Sequence, residues 1–164
     1  MATARRPIRA KSPQKNEVRP MDFLDAFDGY DKTYRHYWRN PQNGEKMLDK
    51  DGAPAYVDLY SPKSLVMEEW KKQRYAEARR EAKKNNKPEP TYEEAMAKNM
   101  TYYAAATAGW YLVNPKTKEG DGHFDYDMAV SIYSDRRAEW MVRQVEEVMS
   151  EDANFLTATA SESK

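Results

Sequence analysis

Between Thr91 and Leu156 the chain concentrates its helix-start signals and apolar stripes, and this constrains its fold more than any other feature. Thr91-Tyr92-Glu93-Glu94 is a capping box. The Thr91 hydroxyl can accept from the Glu94 amide while the Glu94 carboxylate reaches back to the Thr91 amide. Behind it Ala95, Met96, Met100, Tyr103, Ala104 and Thr107 share one stripe, which predicts a helix ending near Gly109-Trp110. Asn114 to Gly122 reads as a loop. Asp125 or Asp127 starts a short helix with Met128, Ala129, Ile132 and Tyr133. A last helix from about Ser134 to Ser150 presents Trp140, Met141, Val145 and Val148. Together these predict a helical core over 91–156 with Trp140 inside it.

Residues 33–60 read differently. Tyr34, His36 and Trp38 alternate with Arg35, Tyr37 and Arg39, the period-two pattern of a strand with one buried face. Asn40-Pro41-Gln42-Asn43-Gly44 and Asp49-Lys50-Asp51-Gly52 are turn signals, after which Tyr56-Val57-Asp58-Leu59-Tyr60 resumes β-type residues. A small antiparallel hairpin or meander follows, and two strands alone are marginal in water, so they must lean on helices or another subunit. A basic helix is expected over 61–86, with Ser61 as N-cap and Pro62 at its first position. Its apolar positions are Leu65, Val66, Met67, Trp70, Tyr75, Ala78 and Ala82. Residues 63–87 hold nine Lys/Arg against Glu68, Glu69, Glu77 and Glu81, a local charge of +5. This is either a solvated face or a basic rail, with Lys71, Arg74 and Arg79 as candidate contacts for an acidic helical partner.

Residues 1–20 form an expected extended basic arm. Arg5, Arg6, Arg9, Lys11, Lys15 and Arg19 stand against Glu17 alone, with no apolar cluster to drive folding. Arg5, Arg6 and Arg9 are candidate partner contacts. So are Phe23, Leu24 and Phe27, which fall at helical spacing in the patch from Met21 to Tyr30. The rest, 21–164, reads as a single small domain ending in a flexible tail over 157–164.

Composition narrows the function. Aromatics at 12% are too many for a disordered chain, although charged residues reach 33% and the mean hydropathy is -1.06. Lys+Arg and Asp+Glu both total 27, and this balance weighs against a dedicated nucleic-acid binder. There is no Cys, and His36 and His123 have no partner at ligand spacing, so neither a metal nor any other cofactor is expected. In Asp49-Lys50-Asp51-Gly52-Ala53-Pro54 the positions where a calcium loop needs an acid or Asn and then Gly hold Ala53 and Pro54, so a hairpin turn is the reading. No phosphate-binding glycine loop occurs, Asp125 and Asp127 are read as caps, and the chain is not expected to be an enzyme. No apolar run approaches the roughly 18 residues of a membrane span, so no membrane partner and a cytosolic compartment are expected.

One resemblance adds to this. From about Pro41 to Leu156 the chain resembles small proteins encoded in tailed-phage morphogenesis modules near the tail tube gene. The matching parts are a hairpin turn like Asn40-Pro41-Gln42-Asn43-Gly44-Glu45 and a charged helix like 64–84. Next come Ala104-Ala105-Ala106-Thr107-Ala108-Gly109-Trp110 and the pattern of Phe124, Tyr126, Ala129, Ile132 and Tyr133. Arg143-Gln144-Val145 and Asp152-Ala153-Asn154-Phe155-Leu156 close it. Such proteins look like the tail assembly chaperones of long-tailed phages. The resemblance implies a mainly helical protein that self-associates, coats the tape measure protein until tube subunits displace it, and works in the host cytoplasm during assembly. The long basic arm departs from that pattern and keeps a second role open, a structural subunit retained in the virion at a head–tail joint or along the tail. A nucleic-acid-binding accessory protein rests only on the two basic segments.

The expected fold is therefore α+β and mainly α-helical: a small antiparallel hairpin or meander, then about four helices, with an extended basic N-terminal arm. The expected partners are the phage tape measure or tail tube, with a homo-oligomer possible.

Overall fold

Residues 29–97 and 100–156 are described in the structure, a computed structural model. The arm residues Arg5, Arg6 and Arg9, the patch residues Phe23, Leu24 and Phe27, and the tail at 157–164 lie outside them. The described residues build an α+β fold. A four-stranded antiparallel sheet runs in the order β1 (Tyr34–Tyr37), β2 (Tyr56–Leu59), β3 (Thr107–Val113), β4 (Gly120–Asp121). The helices are α1 (Leu65–Lys84), α2 (Tyr92–Ala95), α3 (Met100–Ala106), α4 (Tyr126–Ser134) and α5 (Glu139–Met149).

The period-two reading of β1 holds. Trp38 is buried and Tyr34 and His36 are half-buried, while Arg35, Tyr37 and Arg39 face solvent. Asp49 closes the second turn before β2 as an acceptor for the amides of Asp51 (2.9 Å) and Ala53 (2.8 Å), with Gly52 at φ +85°. The support those two strands needed comes from an unexpected strand. Thr107–Val113 was expected to finish a helix and to lead into a loop; instead it is β3 and pairs along β2, Tyr56 opposite Tyr111 and Val57 opposite Trp110. The helix predicted from Thr91 to Gly109 is also broken, into the single turn α2 and the separate α3. The Thr91 cap forms, its hydroxyl accepting from the Glu94 amide at 3.1 Å. The loop at 114–122 is the turn of a β3–β4 hairpin, tied by the Lys118 amide to the Asn114 carbonyl at 2.8 Å. The region 91–156 is thus half the sheet as well as most of the helical core.

Two helix starts also differ from expectation. Ser64, not Ser61, caps α1 and accepts from the Met67 amide at 3.2 Å. Ser61 makes the preceding turn, its carbonyl accepting from the Ser64 hydroxyl at 2.7 Å. The final helix begins at Glu139, because a 3-10 turn at Arg136–Ala138 separates it from α4. Asp125 caps α4, accepting from the Met128 amide at 2.7 Å.

Helices cover one face of the sheet through edge-to-face aromatic contacts. Trp38 meets Trp140 of α5 with ring centroids 5.9 Å apart, and Trp110 meets Tyr133 of α4 at 5.9 Å. Trp140 is half-buried rather than central; Trp38, Val57, Leu59 and Val145 are sealed. The edge of β1 continues onto α5 through Gln144. Its side-chain amide donates to the Arg39 carbonyl (2.8 Å) and accepts from the Arg39 amide (3.1 Å), as a neighbouring strand would. The same oxygen lies 2.8 Å from His36 Nε2, which therefore carries the proton.

Candidate partner-binding surface

Among the described α-helices, α1 is the one most open to solvent. Of its 20 residues only Met67 and Ala82 are buried. Leu65 and Val66, among the apolar positions of the expected helix, are 73% and 48% exposed, because Met67 takes the inward side of the first turn and leaves its two neighbours facing solvent. The Asp31 carboxylate accepts from the Leu65 amide at 2.8 Å, and Lys63 pairs with Asp152 at 2.8 Å, so the N-terminal end of the helix is held from both sides. Trp70 packs edge-on to Tyr102 of α3 at 5.8 Å. Beyond Trp70 the helix runs out over α2, where Tyr75 meets Tyr92 at 5.5 Å.

The three rail residues differ in role. Lys71 Nζ donates to the Pro62 carbonyl at 2.6 Å and to Glu68 at 3.2 Å, and its side chain is only 17% exposed. Its charge is spent on the turn before its own helix. Arg74 is half-buried and its Nε is sealed with no hydrogen-bond partner. Arg79 is exposed, pairs with Glu89 and lies 5.7 Å from the Tyr75 ring centroid. Lys71 and Arg74 sit one turn apart; Arg79 belongs to a separate group with Arg80, Lys83 and Lys87.

That group surrounds a cavity of about 490 Å³ between the last turns of α1 and the returning chain at Lys87 and Glu89. The reversal is a Schellman turn: the Lys87 amide donates to the Ala82 carbonyl at 2.8 Å and the Asn86 amide to the Lys83 carbonyl at 3.4 Å. Asn86 takes φ +51° there, a conformation Asn tolerates better than most residues. The sequence reading missed Arg80, Lys83, Lys87 and Glu89 as a set. The signal was present in Asn85-Asn86 before Lys87-Pro88-Glu89, an Asn-capped stop that folds the next cation back on the helix.

Two other surfaces were not foreseen. A cleft of about 540 Å³ opens beside Trp38 and Trp140, with Pro41, Met47, Leu112 and Met141 in its walls. On the uncovered sheet face, Tyr37, Tyr56 and Tyr111 stand directly opposite one another across three strands. Each is already engaged by a charged group. Lys46 lies 4.5 Å from the Tyr37 ring, the Arg35 guanidinium 3.7 Å from Tyr56, and the Tyr111 hydroxyl donates to Asp49 at 2.6 Å. That hydrogen bond holds the Asp49 carboxyl below the usual carboxylate range and pushes the Tyr111 phenol up. Arg35 also forks onto Asp58 at 2.9 and 3.0 Å, so this face has little charge left for a partner.

Among the described residues no group of three or more His, Cys, Asp or Glu could hold a metal ion, and no helix is long and apolar enough to cross a membrane. Set against protein-family models, curated proteins and solved structures, the chain matches none of them.

Proposed function

We propose that this is a tail assembly chaperone-like protein of a long-tailed phage, binding tail components through protein surfaces during virion assembly and turning over no substrate. The observation that carries the reading is α1, about 30 Å long at 1.5 Å per residue, with two of its 20 residues buried and five of its seven cations exposed. A helix gains most of its stability from burying one face, so a long one left open is suited to a partner that completes the packing. Leu65 and Val66 offer apolar contact at one end and Arg79, Arg80 and Lys83 offer charge at the other. Charge of that kind speeds association more than it tightens it. The tape measure, long and helical, is the partner we assign, with the tail tube as the component that later takes its place.

Mass spectrometry of purified particles, beside affinity capture from infected cells, tests this. A chaperone is captured with the tape measure and is absent or at trace level in particles. Fixed stoichiometry in the mature particle would replace this reading with a structural virion subunit. Tight duplex-DNA binding, with the steep salt dependence set by neutralised phosphates and no capture of the tape measure, would replace it with a nucleic-acid accessory role.

A further inference from the structure

We propose that the cavity at the C-terminal end of α1 receives a carboxylate-rich segment of a protein partner, and that Glu89 occupies it meanwhile as a built-in substitute for the partner's carboxylate. The inference rests on the reading of α1 as a partner-binding helix and names the chemistry of one end of it.

Four cations, Arg79, Arg80, Lys83 and Lys87, line the cavity against Glu89 alone, a local excess of +3. Folding accounts for part of this. Lys83 and Lys84 in the last turn complement the negative end of the helix. Arg79 and Arg80 lie a turn earlier, and Lys87 belongs to the returning chain, so that argument does not reach them. Lys87 comes back to the helix only because Asn86 adopts its left-handed turn, and the same turn delivers Glu89 to Arg79.

Glu89 shows what the cavity accepts. Its carboxylate meets the Arg79 guanidinium, whose planar donors suit a carboxylate. Both side chains are more than half exposed, so the pair is weak and readily exchanged for an incoming acid. With Glu89 displaced, all four cations are available to the ligand. A protein segment fits better than nucleic acid on two grounds. Ala76 and Ala82 line the same cavity, and Arg79 leans on the Tyr75–Tyr92 pair, so apolar side chains next to the acids find contact. The cationic stretch is also short, four side chains around one cavity, which suits a few carboxylates better than a continuous run of phosphates.

The experiment is an NMR titration of the full-length ¹⁵N-labelled chain with a synthetic Glu-rich helical peptide, in parallel with a short DNA duplex. Amide shifts should cluster at residues 76–89 and saturate. Arg80→Gln with Lys83→Gln should weaken peptide binding by about tenfold, and Glu89→Gln should tighten it by about threefold to sixfold, since a competing exposed pair has been removed. All three side chains are exposed, and the same spectra show that each variant stays folded. Unchanged or weaker binding by Glu89→Gln overturns the proposal. So do peptide shifts that fall elsewhere, no saturable binding, or duplex bound more tightly than peptide. Fixed stoichiometry in virions would sink the chaperone reading without altering any of these shifts, so the two failures can be told apart.

Discussion

Tyr133 and Thr107 form a buried hydroxyl relay whose energetics can be worked from its geometry. The Thr107 hydroxyl donates to the Tyr103 carbonyl at 2.8 Å, and its oxygen lies 2.8 Å from the Tyr133 hydroxyl. Thr107 has one proton and has given it to Tyr103, so Tyr133 must be the donor to Thr107. Both residues are buried, at 2% and 4% exposure. Tyr133→Phe removes one donor and leaves Thr107 still bonded to Tyr103, a loss of about 1 kcal/mol. Thr107→Val keeps the shape but strands the Tyr133 hydroxyl in the core and takes a donor from the Tyr103 carbonyl, a loss of about 2–3 kcal/mol. With Phe at position 133 no hydroxyl is left to strand, so the double variant should cost about 2 kcal/mol, less than the two single losses together. Urea unfolding followed by tryptophan fluorescence measures all four proteins, and equal slopes would show that only stability has changed. The reasoning fails if Tyr133→Phe costs as much as Thr107→Val. It also fails if the two losses add to within about 0.3 kcal/mol.

Two further predictions follow from other buried or crowded groups. A Cβ at Gly120 would collide with the Tyr111 ring, so Gly120→Ala should push that ring off Asp49; potentiometric or NMR titration should then find the Asp49 carboxyl back toward its ordinary range, and an unmoved Asp49 would show that the hairpin yields instead. Burial pushes the Tyr102 phenol up to about 12 and Tyr133 higher still, so these protons leave the unfolded chain near pH 10 while the folded chain keeps them. The unfolded state then binds fewer protons, and stability should fall from pH 10 toward 12 by about 1.4 kcal/mol per pH unit for each such tyrosine, less steeply in Tyr133→Phe; denaturation midpoints that stay flat through pH 11 would contradict it.

What was legible in the sequence was whatever local chemistry decides. The alternation of Tyr34, His36 and Trp38 gave β1, Asp49 with Gly52 gave its turn, and Thr91 and Asp125 capped where expected. Strand β3 was lost for a specific reason. Its buried residues Thr107, Trp110 and Val113 recur every third position, which imitates the face of a helix. In regular alternation residues three apart lie on opposite faces of a strand, so the first interval needs a bulge while the second brings in Val113 from the other face. The register slips here between Asp58 and Leu59, which pair with Gly109 and Thr107 and leave Ala108 exposed and unopposed. The Ala-rich run before it strengthened the helical signal, since Ala favours helix. The partner surface was legible only in part. The +5 of residues 63–87 was visible, but its division between an inward-tied Lys71 and a cavity around Arg79 depends on the caps at Ser64 and Asn86. Gln144 gave no signal at all, because its strand-like bonds to Arg39 depend on where α5 lands across the sheet.

The position of β3 between β2 and β4 has a consequence for how the molecule is made. During synthesis β1 and β2 emerge early, but the strand that covers the far edge of β2 is not available until residues 107–113 have followed α1, α2 and α3 out of the ribosome. At about 5–20 residues per second this leaves several seconds in which Val57 and Leu59 have a hydrogen-bonding edge and an apolar face uncovered. In that interval the nascent hairpin is open to pairing with another chain on the same polysome.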